Sequence, residues 1–372
     1  MTTSVIKMRI QFCITGSFLG ITTFSVFVTA IFFLAACNNA EKADDQFFKT
    51  RGVVLAVEDL STVDWPKKAS ESGINTIATH ITPSQVAEFI QSPKGQQFLS
   101  QCKDLGIEVE HELHAMNDLL PRALFTEDST MFRMNKEGRR VADYNLCVHS
   151  EKALNIASDN AVKYARILTP TTGRYFYWID DNMPMCHCEE CGQYSDSEQA
   201  LILENHMISR LRKFDPKATL AHLAYGNTLE APRKVKPEPG IFLEFAPIQR
   251  SFTQPMSDHE AKVIKLTDQA AKTHGHLLRM LDENLEVFGK ENAQVLEYWL
   301  DVSLFSGWRK PAKELPWNPE VFKDDIEVYA DRGIRNITTF AVYIDSAYLE
   351  TYKDVAFIRE YGEGLESYNQ KR

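Results

Sequence analysis

Two adjacent aspartates follow an aromatic segment, and a cysteine cluster follows them: residues 175–181 read YFYWIDD and residues 186–191 read CHCEEC. Two neighbouring carboxyl groups can divide acid and base roles in glycoside hydrolysis, because like charges push their pKa values apart. Successive side chains on a strand point opposite ways, so Asp180 and Asp181 reach one substrate only if the chain turns there. Asn182 and Pro184 favour such a turn. The alternative is a strand-end pair that caps the next turn.

The cysteines form the pattern C-x-C-x-x-C at Cys186, Cys188 and Cys191. Three thiolates at this spacing match the local half of a structural zinc site, and a closed site needs a fourth ligand. Cys147 is the first choice for that ligand and His187 the second. A disulfide between Cys147 and one of the three is the competing interpretation, and the sequence leaves both open. Either arrangement would fix the position of the loop after the aspartates. A hydrolytic zinc centre is the least favoured interpretation.

Other candidates lie near the ends of apolar segments. Glu297 and Glu244 interrupt apolar runs, where an unpaired charge is costly, so each is expected to have a partner or a substrate. Glu297 is predicted as a further catalytic carboxylate, with Asp301 as its alternative. Arg122 and Arg133 lie in a long segment after the third predicted strand and offer a bidentate fork to an acidic sugar. The predicted substrate-binding residues are Glu112, His114, Arg122, Arg133, Asn145, Tyr177, Trp178, Tyr225, Glu244, Arg250, Tyr298, Trp299, Asp301, Tyr343 and Asp345.

The elements that must position these residues repeat from residue 50 onward, as a short apolar or aromatic run followed by a segment with helical spacing. The predicted strands are 52–57, 74–81, 107–114, 174–180, 219–225, 241–246, 295–302 and 337–344. Strands that alternate with helices favour parallel pairing. Eight such units predict an α/β fold with a single (β/α)8 TIM-type barrel over residues 50–372, whose reactive groups lie at the carboxyl ends of the strands. An open doubly wound sheet is the alternative, but no Gly-rich phosphate turn follows the first strand.

Helix start and stop signals accompany these strands. The predicted helices run from Thr82 towards Cys102, from Ser150 to Ala165, from Ser195 to Phe214, from Pro319 to Gly333, and from Ser346 to Tyr361. Residues 116–147 form a long excursion after the third strand, which is a common position for functional loops. Residues 227–240 contain three prolines and are too short for a full helix.

The N-terminal segment is predicted to be an export signal. Lys7 and Arg9 precede an apolar run that ends in Leu-Ala-Ala-Cys at residues 34–37. Small residues before a cysteine resemble a bacterial lipobox, so residues 1–36 are predicted as a lipoprotein signal peptide and Cys37 as the lipidated residue. Residues 37–49 then form a tether, and the acidic stretch within it resembles the surface-export signal of Bacteroidota lipoproteins. A permanent membrane helix is the alternative. The expected location is the outer membrane, facing the periplasm or the cell surface.

The negative net charge of the chain argues against nucleic acid as a partner. The chain has 372 residues and a formal net charge of −10, and removal of residues 1–36 would remove two basic residues and no acidic one. An acidic protein of this kind is a poor candidate for binding nucleic acid.

The motifs together resemble the family named domain of unknown function 4838, over residues 105–250. The carriers are the aspartate and cysteine signature of residues 175–191, Asn145-Leu146-Cys147, Ser195-Asp196, Leu223-Ala224-Tyr225 and Val235-Lys236-Pro237. That family is similar to barrel glycoside hydrolases of families 20 and 67, and the adjacent aspartates resemble family 84. The likeness implies that Asp180 orients the substrate's N-acetyl group and that Asp181 is the acid/base.

The resulting hypothesis is a lipid-anchored glycoside hydrolase that acts on an oligosaccharide or polysaccharide and needs no catalytic cofactor, with zinc only in a structural role. Aromatic faces stack on sugar rings, while carboxylates and amides bind hydroxyls. The rival hypothesis is a glycan-binding lipoprotein that keeps the barrel and catalyses nothing.

Overall fold

The computed structural model describes residues 46–264, 271–353 and 355–369. The predicted signal segment 1–36 and residues 37–45 of the predicted tether lie outside these ranges. Within the described ranges, none of the helices combines the length and the apolar character needed to cross a bilayer.

Eight parallel strands close into a barrel in chain order, with β8 paired to β1. The strands are β1 (Thr50–Ala56), β2 (Thr76–His80), β3 (Glu108–His114), β4 (Arg174–Trp178), β5 (Thr219–Ala224), β6 (Ile241–Phe245), β7 (Gln294–Glu297) and β8 (Asn336–Phe340). This topology confirms the prediction of an eight-stranded parallel α/β barrel.

Helices follow the strands around the barrel. Over the described residues they are α1 (Val57–Thr62), α2 (Trp65–Glu71), α3 (Pro83–Gln91), α4 (Pro93–Leu105), α5 (Met116–Leu119), α6 (Glu151–Ala165), α7 (Asp196–Phe214), α8 (His274–Phe288), α9 (Val302–Phe305), α10 (Pro319–Asp331), α11 (Ser346–Tyr352) and α12 (Ala356–Glu366). Helix α7 begins with a capping box in which Ser195 and Glu198 bond each other's backbone N–H groups.

Two predicted helices are each divided in the structure. The helix expected from Thr82 ends at Gln91, because Pro93 disfavours helical backbone at Ser92, and that serine caps the next helix instead. The helix expected from Ser346 to Tyr361 is likewise two helices, α11 and α12. Helix α8 was not predicted from the sequence.

Residues 116–150 connect β3 to α6 and contain little regular structure. They hold the short helix α5 and two 3-10 turns, Arg122–Thr126 and Ser129–Met131. An antiparallel bridge pairs Met134 with Arg140. This segment, called the β3 excursion below, carries Arg122, Arg133 and Cys147.

Side-chain parity separates the barrel interior from the helical shell. Along β4, Phe176 and Trp178 pack inside with residues of the other strands, whereas Tyr175 and Tyr177 pack outside among the helices. The same period of two holds on β7, where Leu296 faces inward. On these strands every second side chain therefore points into the barrel, and the last inward side chains lie at the carboxyl ends.

Two buried carboxyl groups, those of Glu112 and Glu244, share one hydrogen-bond donor in the barrel interior. Gln294 donates from Nε2 to Oε1 of Glu112 (3.1 Å) and to Oε1 of Glu244 (2.8 Å), and all three side chains are fully buried. Burial, and then the neighbouring charge of Glu244, raises the pKa of Glu112 well above its ordinary value. Burial raises the pKa of Glu244 to about 8. The pair therefore retains at least one proton at neutral pH.

These raised pKa values predict that the fold loses stability as pH rises. At these two positions the folded state binds more protons than the unfolded chain above about pH 4.5, so the pair's contribution to the free energy of unfolding should fall as pH rises toward 8. Glu112→Gln keeps the oxygen that accepts the bond from Gln294 and replaces only Oε2, which has no hydrogen-bond partner. The glutamine side chain cannot ionise. Chemical denaturation between pH 5 and 9 should therefore give a smaller slope for this variant.

The matched control is Glu88→Gln, at an exposed position of α3. It should follow the wild-type pH dependence. Equal slopes in wild type and Glu112→Gln would contradict the assignment of a buried proton to this pair.

Candidate active site

A cavity of about 470 Å³ opens at the carboxyl ends of the strands. Its floor and walls include the terminal inward side chains of several strands, among them His80, His114, Trp178 and Phe340, followed by Tyr298 after β7. The position is the one expected for a (β/α)8 enzyme.

Aromatic packing fixes the floor of this cleft. The Trp178 ring lies edge-on to His114 with centroids 5.1 Å apart, and Tyr298 stacks on Phe340 at 5.3 Å. The Trp178 indole donates from Nε1 to Oε2 of Glu244 at 2.8 Å. The interior carboxyl pair therefore anchors the floor from below.

Two histidines present acceptors in the cleft. His80 Nδ1 lies 2.6 Å from the carbonyl oxygen of Glu112, and His114 Nδ1 lies 3.0 Å from that of Ile179. A carbonyl oxygen only accepts, so each Nδ1 is assigned as the protonated nitrogen and each Nε2 as an acceptor when the ring is neutral. Burial lowers the pKa of His80 to about 3, which keeps that ring neutral.

Three carboxyl groups line the cleft, on Glu58, Asp181 and Asp301. Asp181 is exposed and lines the cleft together with Tyr225, on whose hydroxyl its charge acts. Burial, then the charge of Asp181 and more weakly that of Asp301, raises the pKa of Tyr225. Both aspartates therefore act electrostatically on one tyrosine between β5 and β7.

Asp301 has a different environment from Asp181. It caps α9, and its Oδ1 accepts bonds from Ser303 N (3.0 Å), Leu304 N (3.2 Å) and Ser303 Oγ (2.6 Å). Only 4% of Asp301 is exposed, and this burial raises its pKa to about 6. Asp301 therefore holds a proton over part of the mildly acidic range.

Backbone strain marks the rim of the cleft at two aromatic residues. Trp308 and Tyr343 both line the cleft and adopt positive φ angles of 55° and 73°. Bulky residues rarely adopt this region, and such strain clusters at functional sites. The Tyr343 N–H donates to Oδ2 of the buried Asp59 at 3.2 Å, which helps to hold this conformation.

Asp180 points away from the cleft. Its Oδ2 accepts bonds from Arg122 Nη2 (2.7 Å) and from the backbone N–H of Asn145 (2.6 Å), and the Asn145 side chain accepts from the Asp180 N–H (3.0 Å). This placement corrects the expectation that both aspartates face one substrate. Arg122 and Asn145, both predicted to bind substrate, instead hold Asp180.

Glu297 and Trp299 lie on the outer face of the segment that contains Tyr298. Glu297 is buried beside Arg250 (3.4 Å) and accepts the Tyr329 hydroxyl, while Trp299 Nε1 donates to Asp325 at 2.9 Å. The parity of β7 turns them toward α10, because Tyr298 takes the inward position. This corrects the prediction of Glu297 as a catalytic carboxylate, and Arg250 and Trp299 are likewise absent from the cleft lining.

The remaining predicted substrate contacts also lie outside the cleft lining. Glu112 and Glu244 are in the barrel interior below the floor, and Tyr177 packs in the helical shell. Arg133 pairs with Asp143, and Asp345 pairs with Lys310. Of the predicted residues, the structure brings together in the cleft His114, Trp178, Asp181, Tyr225, Tyr298, Asp301 and Tyr343.

Sequence reasoning missed several lining residues. His80 and Phe340 end β2 and β8, so the rule used for the other strand ends would have selected them. Glu58 lies in α1, two residues after the end of β1. Trp308 lies in the loop after α9 and carries no local pattern that would have identified it.

A second hydrogen-bonded chain of reactive residue types lies outside the cleft. His222 Nδ1 is 2.6 Å from Glu204 Oε2, and His222 Nε2 is 3.1 Å from Ser197 Oγ. Ser197, His222 and Glu204 are thus linked in the order of a nucleophile, a base and an orienting acid. All three residues are buried between β5 and α7, so the chain bonds the strand to the helix and leaves no room for substrate at the serine.

The four predicted cysteine ligands come together. Cys147, Cys186, Cys188 and Cys191 are all buried, whereas His187 is exposed and lies outside the group. The cluster joins the β3 excursion to the loop after β4 and does not line the cleft.

Comparison with known proteins gives one family. The family described as a domain of unknown function (DUF4838) matches residues 71–274, and this match confirms the resemblance seen in the sequence. No curated protein matches the chain.

Solved structures with similar folds include three glycoside hydrolases. A GH18 chitinase from Pseudoalteromonas aurantia is 8% identical, with 85% of this chain and 100% of that chain covered and a TM-score of 0.46. The GH20 modules of a pneumococcal exo-beta-D-N-acetylglucosaminidase are 10% identical, with 89% and 86% covered and a TM-score of 0.46. A family 5 enzyme from Prevotella bryantii, solved with a xyloglucan oligosaccharide, is 9% identical, with 87% and 97% covered and a TM-score of 0.46.

The two adjacent aspartates are predicted to differ in their effect on stability. Asp180→Ala removes charge-assisted bonds and leaves Arg122 without its carboxylate, which should lower the free energy of unfolding by roughly 1.5–3 kcal/mol. Asp181→Ala changes an exposed side chain and should cost less than about 1 kcal/mol. Urea denaturation at pH 7 measures both values. Equal losses would contradict the different roles assigned to the two residues.

Proposed function

Because the chain belongs to the family described as a domain of unknown function (DUF4838), whose name assigns no activity, we propose its function from the cleft itself. The protein is a glycoside hydrolase in which Asp181 and Asp301 are the two catalytic carboxyl groups. One observation carries this proposal: the two side chains line one cleft near the same tyrosine, one exposed and the other buried.

Asp301 is the general acid in this proposal. Its burial raises its pKa to about 6, and its three hydrogen bonds all end on Oδ1. Oδ2 is therefore the oxygen left to carry a proton toward the leaving glycosidic oxygen. A raised pKa suits a group that must be protonated in the resting enzyme.

Asp181 is the ionised partner. Asp181 is exposed and lines the cleft beside Tyr225, whose hydroxyl its charge reaches. An ionised carboxylate opposite an acid either attacks the anomeric carbon or activates water. The assignment replaces the expected pair of Asp180 with Asp181, because Asp180 is held by Arg122 and Asn145.

The walls of the cleft fit a sugar. Trp178, Tyr298 and Tyr343 offer ring faces or edges, and the Nε2 atoms of His80 and His114 can accept hydroxyl hydrogens. The volume of about 470 Å³ lies within the range of roughly 300–1,000 Å³ that small-molecule pockets occupy.

Charge narrows the class of sugar. Among the residues that the structure describes, the cleft lining includes Glu58, Asp181 and Asp301 and no arginine or lysine. Arg122 and Arg133, expected to bind a uronate, are paired with Asp180 and Asp143. The substrate is therefore a neutral or amino-sugar glycan, since an anionic sugar would meet like charges.

Two variants test the catalytic roles on aryl glycosides of neutral sugars. Asp181→Asn should lower kcat at least about 10³-fold for every leaving group. Asp301→Asn should lower kcat by roughly 10²- to 10⁴-fold for poor leaving groups and much less for a nitrophenyl leaving group, which needs no protonation. It should also remove the fall in kcat/KM that begins near pH 6 as the acid loses its proton.

The control is Asp104→Asn, at an exposed position of α4, which should keep wild-type activity. Circular dichroism checks the fold of each variant. Full activity of Asp181→Asn on a confirmed substrate would refute the assignment.

The second candidate is a glycan-binding protein without hydrolysis. The several aromatic side chains of the cleft lining favour it, because binding proteins rely on ring stacking. Calorimetry with an oligosaccharide separates the two: persistent binding with no products over days, and wild-type affinity in both Asp181→Asn and Asp301→Asn, would favour the binding protein.

The proposal also places the protein outside the cytoplasm, anchored by a lipid on Cys37 after removal of residues 1–36. The support is the Leu-Ala-Ala-Cys sequence at residues 34–37 behind a basic and apolar segment. Metabolic labelling with a radioactive fatty acid should mark the wild type and not Cys37→Ala. Labelling of the variant to the same extent would contradict lipidation at this cysteine.

A further inference from the structure

Four cysteines from two separate segments form one buried cluster. Cys147 comes from the β3 excursion, and Cys186, Cys188 and Cys191 come from the loop after β4. Their sulfur atoms all lie within 4.8 Å of one another, and none of the four is in a disulfide. The sequence alone left zinc and a disulfide equally open.

The sulfur separations discriminate between these two chemistries. Cys147 Sγ lies 3.8 Å from Cys188 Sγ and 3.7 Å from Cys191 Sγ. A tetrahedral site with Zn–S bonds of about 2.3 Å has S–S edges of roughly 3.8 Å. A disulfide bond is about 2.05 Å long and joins only two sulfurs. The cluster therefore has the size of a four-thiolate metal site, and tetrahedral sites of four cysteines typically hold structural zinc.

Hydrogen-bond donors around the sulfurs support the same reading. The Met134 N–H lies 3.3 Å from Cys186 Sγ, and Arg140 Nη1 lies 3.7 Å from the same atom. His149 Nδ1 lies 3.4 Å from Cys191 Sγ. Four thiolates around a Zn²⁺ ion carry a net charge of −2, and donors of this kind stabilise it.

We propose that Cys147, Cys186, Cys188 and Cys191 bind one zinc ion in a closed tetrahedral site that fastens the β3 excursion to the loop after β4. Four protein ligands leave no open position for water or substrate, so the metal is structural. This inference does not depend on the proposed hydrolase activity.

The site has a consequence for the cleft. Asn145, two residues before Cys147, holds Asp180 through its backbone and side chain, and Asp180 precedes Asp181. The Asn145 amide also donates to the carbonyl oxygens of Met183 and Pro184, at 3.2 and 3.1 Å. Zinc thus fixes both segments that define the turn at Asp181.

Elemental analysis of the detergent-solubilised full chain tests the metal. One zinc per chain is expected for the wild type and for Cys102→Ser, a buried cysteine outside the cluster, and none for a variant with all four cluster cysteines changed to serine. Cobalt added during refolding should give the intense thiolate-to-cobalt absorption of a tetrahedral site. A wild-type chain that contains iron, or that contains no metal, would overturn the assignment of zinc.

Thiol titration of the same samples tests the disulfide alternative. In denaturant with a chelator and no reductant, the wild type should show four more reactive thiols than the four-serine variant. A difference of two would mean that one disulfide joins two of the four sulfurs, and no difference that all four are oxidised, and either result would overturn the proposal. The comparison does not require the variant to fold.

Hydrogen exchange tests the structural role. Removal of zinc from the wild type should accelerate amide exchange across residues 131–147 and 180–195 while β1 keeps its protection. Unchanged exchange in the two segments after complete removal of zinc would refute the claim that the metal fastens them.

Discussion

The carboxylate of Asp180 holds together the parts of the molecule that shape the cleft. It accepts a bond from Arg122 and one from the backbone of Asn145, and it is not among the residues that line the cleft. These contacts join the β3 excursion to the end of β4, so that the next residue, Asp181, turns into the open mouth of the barrel. A partly buried carboxylate needs such partners because desolvation penalises its charge. The same hydrogen bonds therefore hold Asp180 and leave Asp181 exposed at the cleft.

Strand parity explains why the other chemical groups divide as they do. On β4 and β7 the inward residues Trp178 and Tyr298 reach the cleft, while their neighbours Tyr177 and Glu297 enter the helical shell. On other strands, inward residues lie deeper in the barrel, beneath the floor of the cleft. Glu112 on β3 and Glu244 on β6 are such residues, and burial favours their neutral forms. The barrel thus has an acidic interior beneath an aromatic floor, and two of the three carboxyl groups that line the cleft, Glu58 and Asp181, are exposed.

The fold and about half of the cleft-lining residues could be predicted from the sequence. Eight strand and helix alternations were enough for the barrel, and the strand-end rule selected Trp178, Tyr225 and Tyr343. It could not decide between neighbours such as Asp180 and Asp181, or Glu297 and Tyr298, because that choice depends on the strand register and a one-residue shift reverses every side chain. Arg122 looked available because its partner lies 58 residues away in the chain. Ion pairs of this range arise only from tertiary structure.

The central claim is that a glycan lies in this cleft with its reactive bond between Asp181 and Asp301. A crystal structure of Asp181→Asn soaked with a neutral or amino-sugar oligosaccharide measures this most directly. The account predicts a sugar ring against Trp178, a glycosidic oxygen within hydrogen-bond distance of Asp301 Oδ2, and the amide of residue 181 beside the anomeric carbon. A glycan bound elsewhere on the barrel, or in the cleft with its glycosidic oxygen remote from both residues, would contradict it.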